Sequence, residues 1–505
     1  MNKIKKQFEE DFNKSINTDL SFDTNQLENN TPKTKIRMSP LKRTMIIVSC
    51  SLAGVLTLVV LLPLSVFLIA SLKTNESFKS YHKNYAFNEV SIAESNTFKP
   101  LNSINYPNSD KPVKNEFSDE QISAYSNYSY QAYNSLISLP KEENLSFSLI
   151  NLYAILNELE YAASDEEVKA TLNNLLGLNA EKRVSFFDKM MKANFYADSN
   201  NTTQIKNSAF LTNKYEPNTN FINALSSLYC EAYQIDFSKE SNKMVEWVNE
   251  AVNDSHFINE QFLELNEQTV FYLFSTLYFK NAWASKYVSD DNIKDYFYLN
   301  KEDTIKTTFM RHSYYVDRYY DYDEYISVTD YYATGGSVTY IVPKKIEDNI
   351  YKLTKNQNIF FENEENAVYG KPLPYDETRN GKIRVNLTMP KFSNSYEFKL
   401  NDMLSNLGLA KGFTPDYDSF SKAFTSESCF DNIYLQTVKQ KNEVTFNEDG
   451  TVVKSVTMGA AGAMSAEPRR DDTIDVTLNQ PFIYIIKDIN NTPIFVGHLD
   501  NPSKK

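Results

Sequence analysis

The sequence feature that most constrains this chain is an apolar run near the N-terminus, at residues 45–72. Its 28 residues contain no charged side chain, whereas about 20 apolar residues are enough to cross the hydrocarbon core of a bilayer. A cleaved signal peptide has a shorter apolar segment that starts closer to the N-terminus. Cys50 opens the run instead of closing it, which disfavours a lipoprotein cleavage site. We therefore expect residues 45–72 to form one uncleaved transmembrane signal anchor.

Basic residues on the two sides of this run predict its orientation. Three basic residues follow the run, diluted by one acid, Glu76. Five basic residues and no acid lie shortly before it: Lys33, Lys35, Arg37, Lys42 and Arg43. The positive-inside rule then places the N-terminal side in the cytoplasm. We expect a single-pass cell-membrane protein with a disordered cytoplasmic tail at 1–44, a flexible extracellular tether at 73–115 and a folded extracellular body at 116–505.

Composition and charge exclude several classes of partner. A formal net charge of −13 disfavours nucleic acid and anionic lipid head groups. Hydrophobic residues make up 41% of the chain, which is enough for a substantial core. The many Asn, Lys, Tyr and Ile residues are typical of a low-GC genome and indicate a bacterial source. Cys230 and Cys429 either stay free or form one disulfide, and their wide separation favours two free thiols.

The body contains predicted helices first and predicted strands afterwards. Helical periodicity and polar helix starts predict helices at 118–136, 148–162 and 165–176. Alternating or apolar runs predict strands at 208–212, 269–279, 338–342, 382–390, 443–447, 475–478, 482–487 and 494–499. Helices that precede strands in this way indicate an α+β fold with large antiparallel sheets.

A search for catalytic motifs finds no hydrolase elbow, zinc helix or nucleotide-binding loop. The four histidines lie in four unrelated sequence contexts. The acidic and aromatic stretch at 317–325 is interpreted as a solvated loop or edge strand rather than a metal site. We therefore expect neither an enzyme nor a metal ion or other cofactor.

Seven sequence blocks nevertheless occur in a characteristic order between residues 117 and 502. They are Asn144-Leu-Ser-Phe-Ser148, Thr276-Leu-Tyr-Phe-Lys280 followed by Trp283, Val385-Asn-Leu-Thr-Met-Pro-Lys-Phe392, the segment 404–413, Phe446-Asn-Glu-Asp-Gly-Thr451, Asn479-Gln-Pro-Phe482, and Phe495-Val-Gly497 with Asn501-Pro502. Each block alone is weakly specific. Together and in order, they resemble the serpins, a family of serine protease inhibitors.

The resemblance implies a five-stranded central sheet, two further sheets, surrounding helices and an exposed reactive loop that acts as bait for a protease. It also implies that the cleaved loop inserts into the central sheet and traps the acylated protease, since serpin loop insertion is a known case of strand addition and strain release. The leading hypothesis is a membrane-anchored suicide inhibitor of serine, or cysteine, proteases. The alternative is a non-inhibitory surface binding protein on the same scaffold.

The segment that starts at Glu448 and Gly450 resembles the hinge of the reactive loop. An inserted strand alternates between a core side and a solvent side. Counted from Thr451, the inward residues are small or β-branched and uncharged: Thr451, Val453, Ser455, Thr457 and Gly459. The outward residues, which include the only charge, are Val452, Lys454, Val456 and Met458. Although most family members have an Ala-rich run here, the pattern predicts a strand that can insert.

The position of the scissile bond depends on the direction of counting. The family's usual spacing counted forward from Glu448 reaches Met464–Ser465, and a count back from Pro481 reaches Arg470, next to Arg469. The six extra residues of the second choice would add ~20 Å of extended chain between the inserted strand and the protease. Because such slack weakens the compression, we predict Met464–Ser465, with Arg469 and Arg470 as the runner-up.

The resemblance also marks a region where the central sheet opens. Its residues in this chain are Ser148, Asn151, Ser275, Trp283 and Gln440. The chain departs from the family at Leu149 in place of Pro, at Ser275 in place of Asn, and at Gln440 where many members have His. No basic run resembles the heparin-binding helix of some members. We therefore expect a monomer whose partners are a target protease, favouring elastase-like or subtilisin-like enzymes, and the membrane, without heparin.

Overall fold

The computed structural model describes residues 99–137, 144–346, 350–353, 359–360, 362, 364–373, 376–453 and 472–504. The predicted tail, the predicted anchor and most of the predicted tether lie outside these residues, as do Ser455, Thr457 and both candidate scissile bonds. Within the described ranges, none of the helices has the length and apolarity that a membrane span requires.

Helices and strands follow one another in an order that is mixed but helix-rich at the start. The helices are α1 (Asp119–Ile137), α2 (Leu149–Ala162), α3 (Glu166–Leu176), α4 (Ala180–Ala193), α5 (Thr219–Ser227), α6 (Ser241–Ala251), α7 (Glu260–Leu263), α8 (Ile350–Leu353) and α9 (Asn401–Leu404). Short 3₁₀ or π turns occur at Ser289–Asp291, Glu364–Asn366, Ser405–Leu409, Ala410–Phe413 and Ser421–Ala423.

The strands include every strand that the sequence predicts. They are β1 (Asn144–Ser148), β2 (Tyr196–Ala197), β3 (Thr202–Thr212), β4 (Cys230–Ile235), β5 (Phe271–Ala282), β6 (Ile293–Tyr298), β7 (Thr304–Val316), β8 (Arg318–Asp321), β9 (Tyr325–Tyr331), β10 (Ser337–Pro343), β11 (Ala367–Tyr369), β12 (Pro372–Leu373), β13 (Asp376–Asn380), β14 (Ile383–Pro390), β15 (Phe392–Lys399), β16 (Lys439–Phe446), β17 (Gly450–Val453), β18 (Asp472–Thr477), β19 (Phe482–Lys487) and β20 (Pro493–Leu499).

Side-chain caps explain where two of the three predicted helices begin and how one of them ends. The Ser148 side chain accepts from the backbone N–H of Asn151 at the start of α2. The Asp165 side chain accepts from two backbone N–H groups at the start of α3, and Gly177, with φ of 72°, ends that helix in the left-handed conformation. The predicted boundaries of all three helices are confirmed to within a residue or two.

Four sheets organise the described part of the body. The central sheet has the order β15-β16-β17-β5-β3-β2, and β4 also pairs with β3. A second seven-stranded sheet has the order β1-β20-β19-β10-β9-β8-β11, a third runs β18-β14-β7-β6, and β12 pairs with β13. Five strands of the central sheet have six residues or more, as the resemblance implies, while β2 and β17 are short additions. An α+β fold with large, mainly antiparallel sheets is confirmed.

Two apolar clusters hold these layers together. The larger one packs α2 and its neighbouring helices against the inner faces of the sheets. It contains Cys230 and Cys429, which are both free thiols, as their separation in sequence favours. The smaller cluster lies between α6 and the outer face of the central sheet, and includes Phe210, Val248 and Phe274. Helix α6 therefore covers part of the sheet's outer face.

Two predictions about the chain's organisation need correction. Residues 99–115 were expected to belong to the flexible tether, but they lie along the body, where for example Leu101 N–H donates to Ala232 O at 2.7 Å. The stretch at 317–325 was interpreted as a solvated loop or edge strand, but its strand β8 pairs with β9 on one side and with β11 on the other, and Tyr320 and Tyr325 are buried. In the first place a backbone group, and in the second the Tyr320 hydroxyl, bonds to another part of the chain.

Candidate reactive-loop hinge and sheet cleft

The hinge residues form a short strand inside the central sheet. Strand β17 pairs with β16, where Thr451 lies opposite Phe446, and with β5, where Thr451 lies opposite Asn281. Both pairings are antiparallel. The first part of the predicted reactive loop is therefore already inserted between β16 and β5.

Residues just before β17 hold its entry point. Glu448 accepts a hydrogen bond from Asn292 Nδ2 at 2.6 Å and pairs with Lys391 Nζ at 2.8 Å. Burial raises the pKa of Glu448, but the hydrogen bonds from Lys391 and Asn292 outweigh it, so the pKa lies below its usual value. Trp283 Nε1 donates to Asn447 O at 2.8 Å. The chain thus enters the sheet at a fixed place.

Close packing at Gly450 and Thr451 fixes the phase of the strand. A Cβ at Gly450 would clash with the backbone oxygen of Asn281, so only glycine fits beside β5. The Thr451 side chain is fully buried, and Tyr332 OH donates to its Oγ1 at 2.8 Å. Val452, in contrast, is partly exposed. The predicted inward position of Thr451 and outward position of Val452 are what the structure shows.

A cleft continues the line of β17 down the sheet. It lies between β5 and β16, which share no pairing of their own in the described part of the chain. Asn151, Ser275, Thr437 and Gln440 are among the residues that line it. Ser275 Oγ, Thr437 Oγ1 and Asn151 Oδ1 are buried without a hydrogen-bond partner among the described residues. The walls of the cleft therefore carry polar groups that a further strand can satisfy.

One wall of the cleft is tied to the start of α2 by a buried network. Gln440 Oε1 accepts from Ser148 N–H at 2.8 Å, and its Nε2 donates to Ser148 O at 3.0 Å. Asn442 Nδ2 donates to Gln440 Oε1 at 2.8 Å and to Ser146 O at 2.9 Å. Because its amide engages both backbone groups of Ser148, Gln440 fixes β16 against α2.

The structure groups most of the predicted sheet-opening residues, but not all. Ser148, Asn151 and Gln440 lie together on one side of the cleft, and Ser275 lines it on β5. Trp283 is eight residues further along from Ser275, about 25 Å away, and belongs to the hinge entry. Val453 ends β17, whereas the remaining inward residues and both scissile-bond candidates lie outside the described residues.

Sequence reasoning missed the residues that hold the hinge from other elements. Tyr332, which contacts Thr451, follows β9, and Lys391 and Asn292 precede β15 and β6. All are more than 50 residues from their hinge partners in sequence, and their types are common on surfaces. Lys391 lies in the sequence block 385–392, but nothing in that block indicates its pairing with Glu448, and Tyr332 and Asn292 lie in none of the seven blocks.

Comparisons with known proteins agree with this architecture. A sequence model described as "Serpin (serine protease inhibitor)" matches residues 123–502. The chain belongs to the serpin family. This serpin is 25% identical over 383 residues to Serpin-Z2A of Triticum aestivum, covering 71% of this chain and 90% of the relative. It is 24% identical over 395 residues to a serine protease inhibitor of Rattus norvegicus, covering 75% of this chain and 89% of the relative.

A solved structure shows the same fold. The native state of the thermophilic serpin tengpin matches with a TM-score of 0.66 and 22% identity, over 80% of this chain and all of that one. The curated relatives described above come from a plant and a mammal, so they give no support to the bacterial source expected from composition.

Proposed function

We propose that this serpin is a suicide inhibitor of serine-type endopeptidases, cleaved in the reactive loop and completed by insertion of that loop into the central sheet. The observation that carries the proposal is β17, which already occupies the top of the sheet, with a cleft directly below it that none of the described strands fills. The names of the two relatives, a serpin and a serine protease inhibitor, are consistent with it.

The register of β17 extends into the cleft without a change of phase. Val453 lies opposite Phe279, so continuing the ladder places Ser455 opposite Leu277 and Thr457 opposite Ser275. On the other side the same continuation places Thr457 opposite Gln440. Directly opposed side chains have Cβ atoms ~5 Å apart. The hydroxyl of Thr457 would thus reach the unsatisfied Ser275 Oγ.

Ladder hydrogen bonds contribute to the free energy of insertion. Residues 454–458 would have a strand on both sides, since β16 begins at Lys439, opposite residue 458. Two ladder bonds for each of these five residues give about ten bonds, at ~0.5–1.5 kcal/mol each. The sum, on the order of 5–15 kcal/mol, equals the stability of a typical domain. Ordering the backbone of five residues costs ~1–2 kcal/mol each, so the ladder bonds offset that cost and burial of the inward side chains adds to the driving force.

The deciding experiment is incubation of the full chain with a panel of serine proteases, followed by a denaturing gel. An inhibitor gives a stable complex at the summed mass, minus the C-terminal fragment. Thr457→Arg would place a guanidinium on the core side, at a cost of several kcal/mol, and should be cut without trapping the protease. Thr457 gives a clearer test than Thr451, because Thr451 is already buried in the uncleaved sheet and its substitution would also affect folding.

Lys454→Arg is the matched control, because it adds the same side chain in the same segment at an outward position. It should trap protease as well as the parent does. If Thr457→Arg also traps as well as the parent, insertion is not the mechanism. If no protease on the panel gives a complex with any variant, the chain is the non-inhibitory binding protein instead.

We further propose that the serpin body is displayed outside the cell on the anchor at 45–72. The uncharged run and its basic N-terminal flank support this orientation. Protease added to intact cells should remove the body and spare an N-terminal epitope tag. A body that stays intact under conditions that digest a known surface protein would contradict it.

A further inference from the structure

Residues 99–115, here called the strap, complete one edge of the central sheet. Leu101 N–H donates to Ala232 O at 2.7 Å, on the outer side of β4. Asn102 continues the pattern, because its Oδ1 accepts from Ala232 N–H at 2.8 Å and its Nδ2 donates to Cys230 O at 2.9 Å. The Asn102 side-chain amide therefore takes the place of a peptide group in a neighbouring strand, and covers an edge that would otherwise be open.

The strap is held along its length by other elements of the body. The Tyr106 ring stacks on Phe195, with ring centres 4.8 Å apart and planes at 12°. Ser109 O accepts from Ala197 N–H at 3.2 Å. Asn115 Nδ2 donates to Lys189 O at 3.1 Å, near the end of α4. Contacts of this number and kind describe a docked segment, not a solvated linker.

One carboxylate links the strap to helix α6. Tyr106 OH donates to Glu231 Oε1 at 3.3 Å. The other oxygen, Glu231 Oε2, accepts from Trp247 Nε1 of α6 at 2.8 Å and from Tyr233 OH at 2.6 Å. Trp247 in turn stacks on Phe274 of β5, with ring centres 6.3 Å apart. Glu231 thus joins the strap, the sheet edge and α6 at one point.

Helix α6 and the residues beneath it lie where an inserting strand has to pass. Val248 of α6 and Phe274 both line the cleft. The extended register of β17 places the outward residue 458 opposite Phe274, under α6. Any restraint on α6 therefore opposes the last part of insertion.

We propose that the strap is a conformational restraint that holds α6 over the central sheet through Glu231 and so slows insertion of the reactive loop. The effect on insertion rests on the proposed function, whereas the restraint on α6 does not. The strap is separate from the reactive loop. Loosening it should therefore change the rate of insertion and leave the position of the scissile bond unchanged.

Hydrogen exchange of the uncleaved full chain tests the restraint itself. Tyr106→Phe removes only the hydroxyl that contacts Glu231, and Asn102→Leu removes the amide that completes β4. Each should make α6 amides exchange about tenfold faster and leave those of the distant strand β19 unchanged. Tyr417→Phe is the matched control, since Tyr417 is about half exposed and lies outside the strap. Unchanged α6 exchange in both strap variants would overturn the proposal.

The insertion rate tests the consequence. A fluorophore attached to an introduced Lys454→Cys, at an outward position, reports entry of the loop after protease is added. Tyr106→Phe and Asn102→Leu should raise this rate about three- to tenfold, and Tyr417→Phe should not. Faster α6 exchange with an unchanged insertion rate would refute the coupling. If no variant inserts at all, the proposed inhibition fails, and the exchange experiment still decides whether the strap restrains α6.

Discussion

Gln440 offers the sharpest test of how the cleft wall is held. Its side chain is buried and makes three hydrogen bonds, two with the backbone of Ser148 and one with Asn442. Gln440→Leu keeps the approximate volume and removes all three. The variant asks whether β16 stays fixed to α2 through this amide or through apolar packing alone.

The expected loss follows from what each partner retains. Asn442 Nδ2 keeps its hydrogen bond to Ser146 O, so it loses only one of its two hydrogen bonds. Ser148 N–H loses its acceptor inside the protein, which costs about 1–3 kcal/mol, and the other two bonds contribute ~0.5–1.5 kcal/mol each. We expect Gln440→Leu to lower the free energy of unfolding of the full chain by about 2–6 kcal/mol. Urea unfolding followed by tryptophan fluorescence measures it.

Gln261→Leu is the control, because Gln261 is exposed on α7 and its loss should change stability by less than about 0.5 kcal/mol. Gln440→His gives a second readout. A neutral imidazole has one donor and one acceptor, whereas the cation has no acceptor for Ser148 N–H. Burial should depress the pKa of that imidazole in the folded variant. The stability of Gln440→His should therefore be highest above the pKa of the unfolded state, near 6.5, and should decrease as the pH falls below it. A Gln440→Leu loss below about 0.5 kcal/mol would refute the role of the network.

Three further predictions concern other positions. Tyr332→Phe removes the donor to the buried Thr451 Oγ1 and should lower stability by ~1–3 kcal/mol, measured by urea unfolding; an unchanged midpoint would show that packing alone holds the hinge. Burial raises the pKa of Glu158 well above 4.5, so the protonated carboxyl favours the folded state below the unfolded pKa, and this stabilisation is lost as the pH rises. Relative to Glu158→Gln, the free energy of unfolding should fall by up to ~1.4 kcal/mol per pH unit. Stability curves of the two proteins that stay parallel over pH would contradict this. Mass spectrometry of the fragment released from denatured complexes should find Ser465 at its N-terminus, and a start at Asp471 would instead support Arg470.

Hydropathy predicted the apolar strands well and the polar ones poorly. The run at 482–487 is apolar almost throughout, and β19 has the same bounds. Strand β3, in contrast, begins six residues before its predicted start, with Thr202 and Thr203. Both threonines are buried, and Thr203 Oγ1 accepts from Asn281 Nδ2 at 2.9 Å. A polar residue that is satisfied by a distant strand looks like a loop residue in sequence.

The same limit applies to the candidate site. The hinge was found because Glu448, Gly450 and Thr451 form a recognisable motif, and its inward phase follows from period-two geometry. The strap was missed because residues 99–115 have no apolar periodicity, and Asn102 binds through amide-to-backbone contacts. Such contacts depend on which edge the chain meets, which a local sequence pattern does not contain.

Polar groups among the mainly apolar residues of the cleft help to explain how an open sheet can be stable before cleavage. The apolar part of the lining between β5 and β16 favours closing the gap, because closure would remove apolar surface from water. Ser275, Thr437 and Gln440 on those walls reduce that driving force. Within the described residues, Ser275 Oγ and Thr437 Oγ1 also leave hydrogen-bonding capacity unused. Under the proposed function, part of the free energy difference between the uncleaved and the inserted chain therefore comes from hydrogen bonds that form only on insertion.

Ser275→Ala tests this account of the stored free energy. The substitution removes a hydroxyl that is unsatisfied in the uncleaved sheet and that Thr457 would satisfy after insertion. It should therefore raise the urea midpoint of the uncleaved chain and lower that of the cleaved, inserted chain, because only the inserted state loses a hydrogen bond. Urea unfolding of the two forms side by side measures the difference. Equal shifts in both forms would show that Ser275 does not distinguish the open sheet from the filled one, and that the stored free energy lies elsewhere in the cleft.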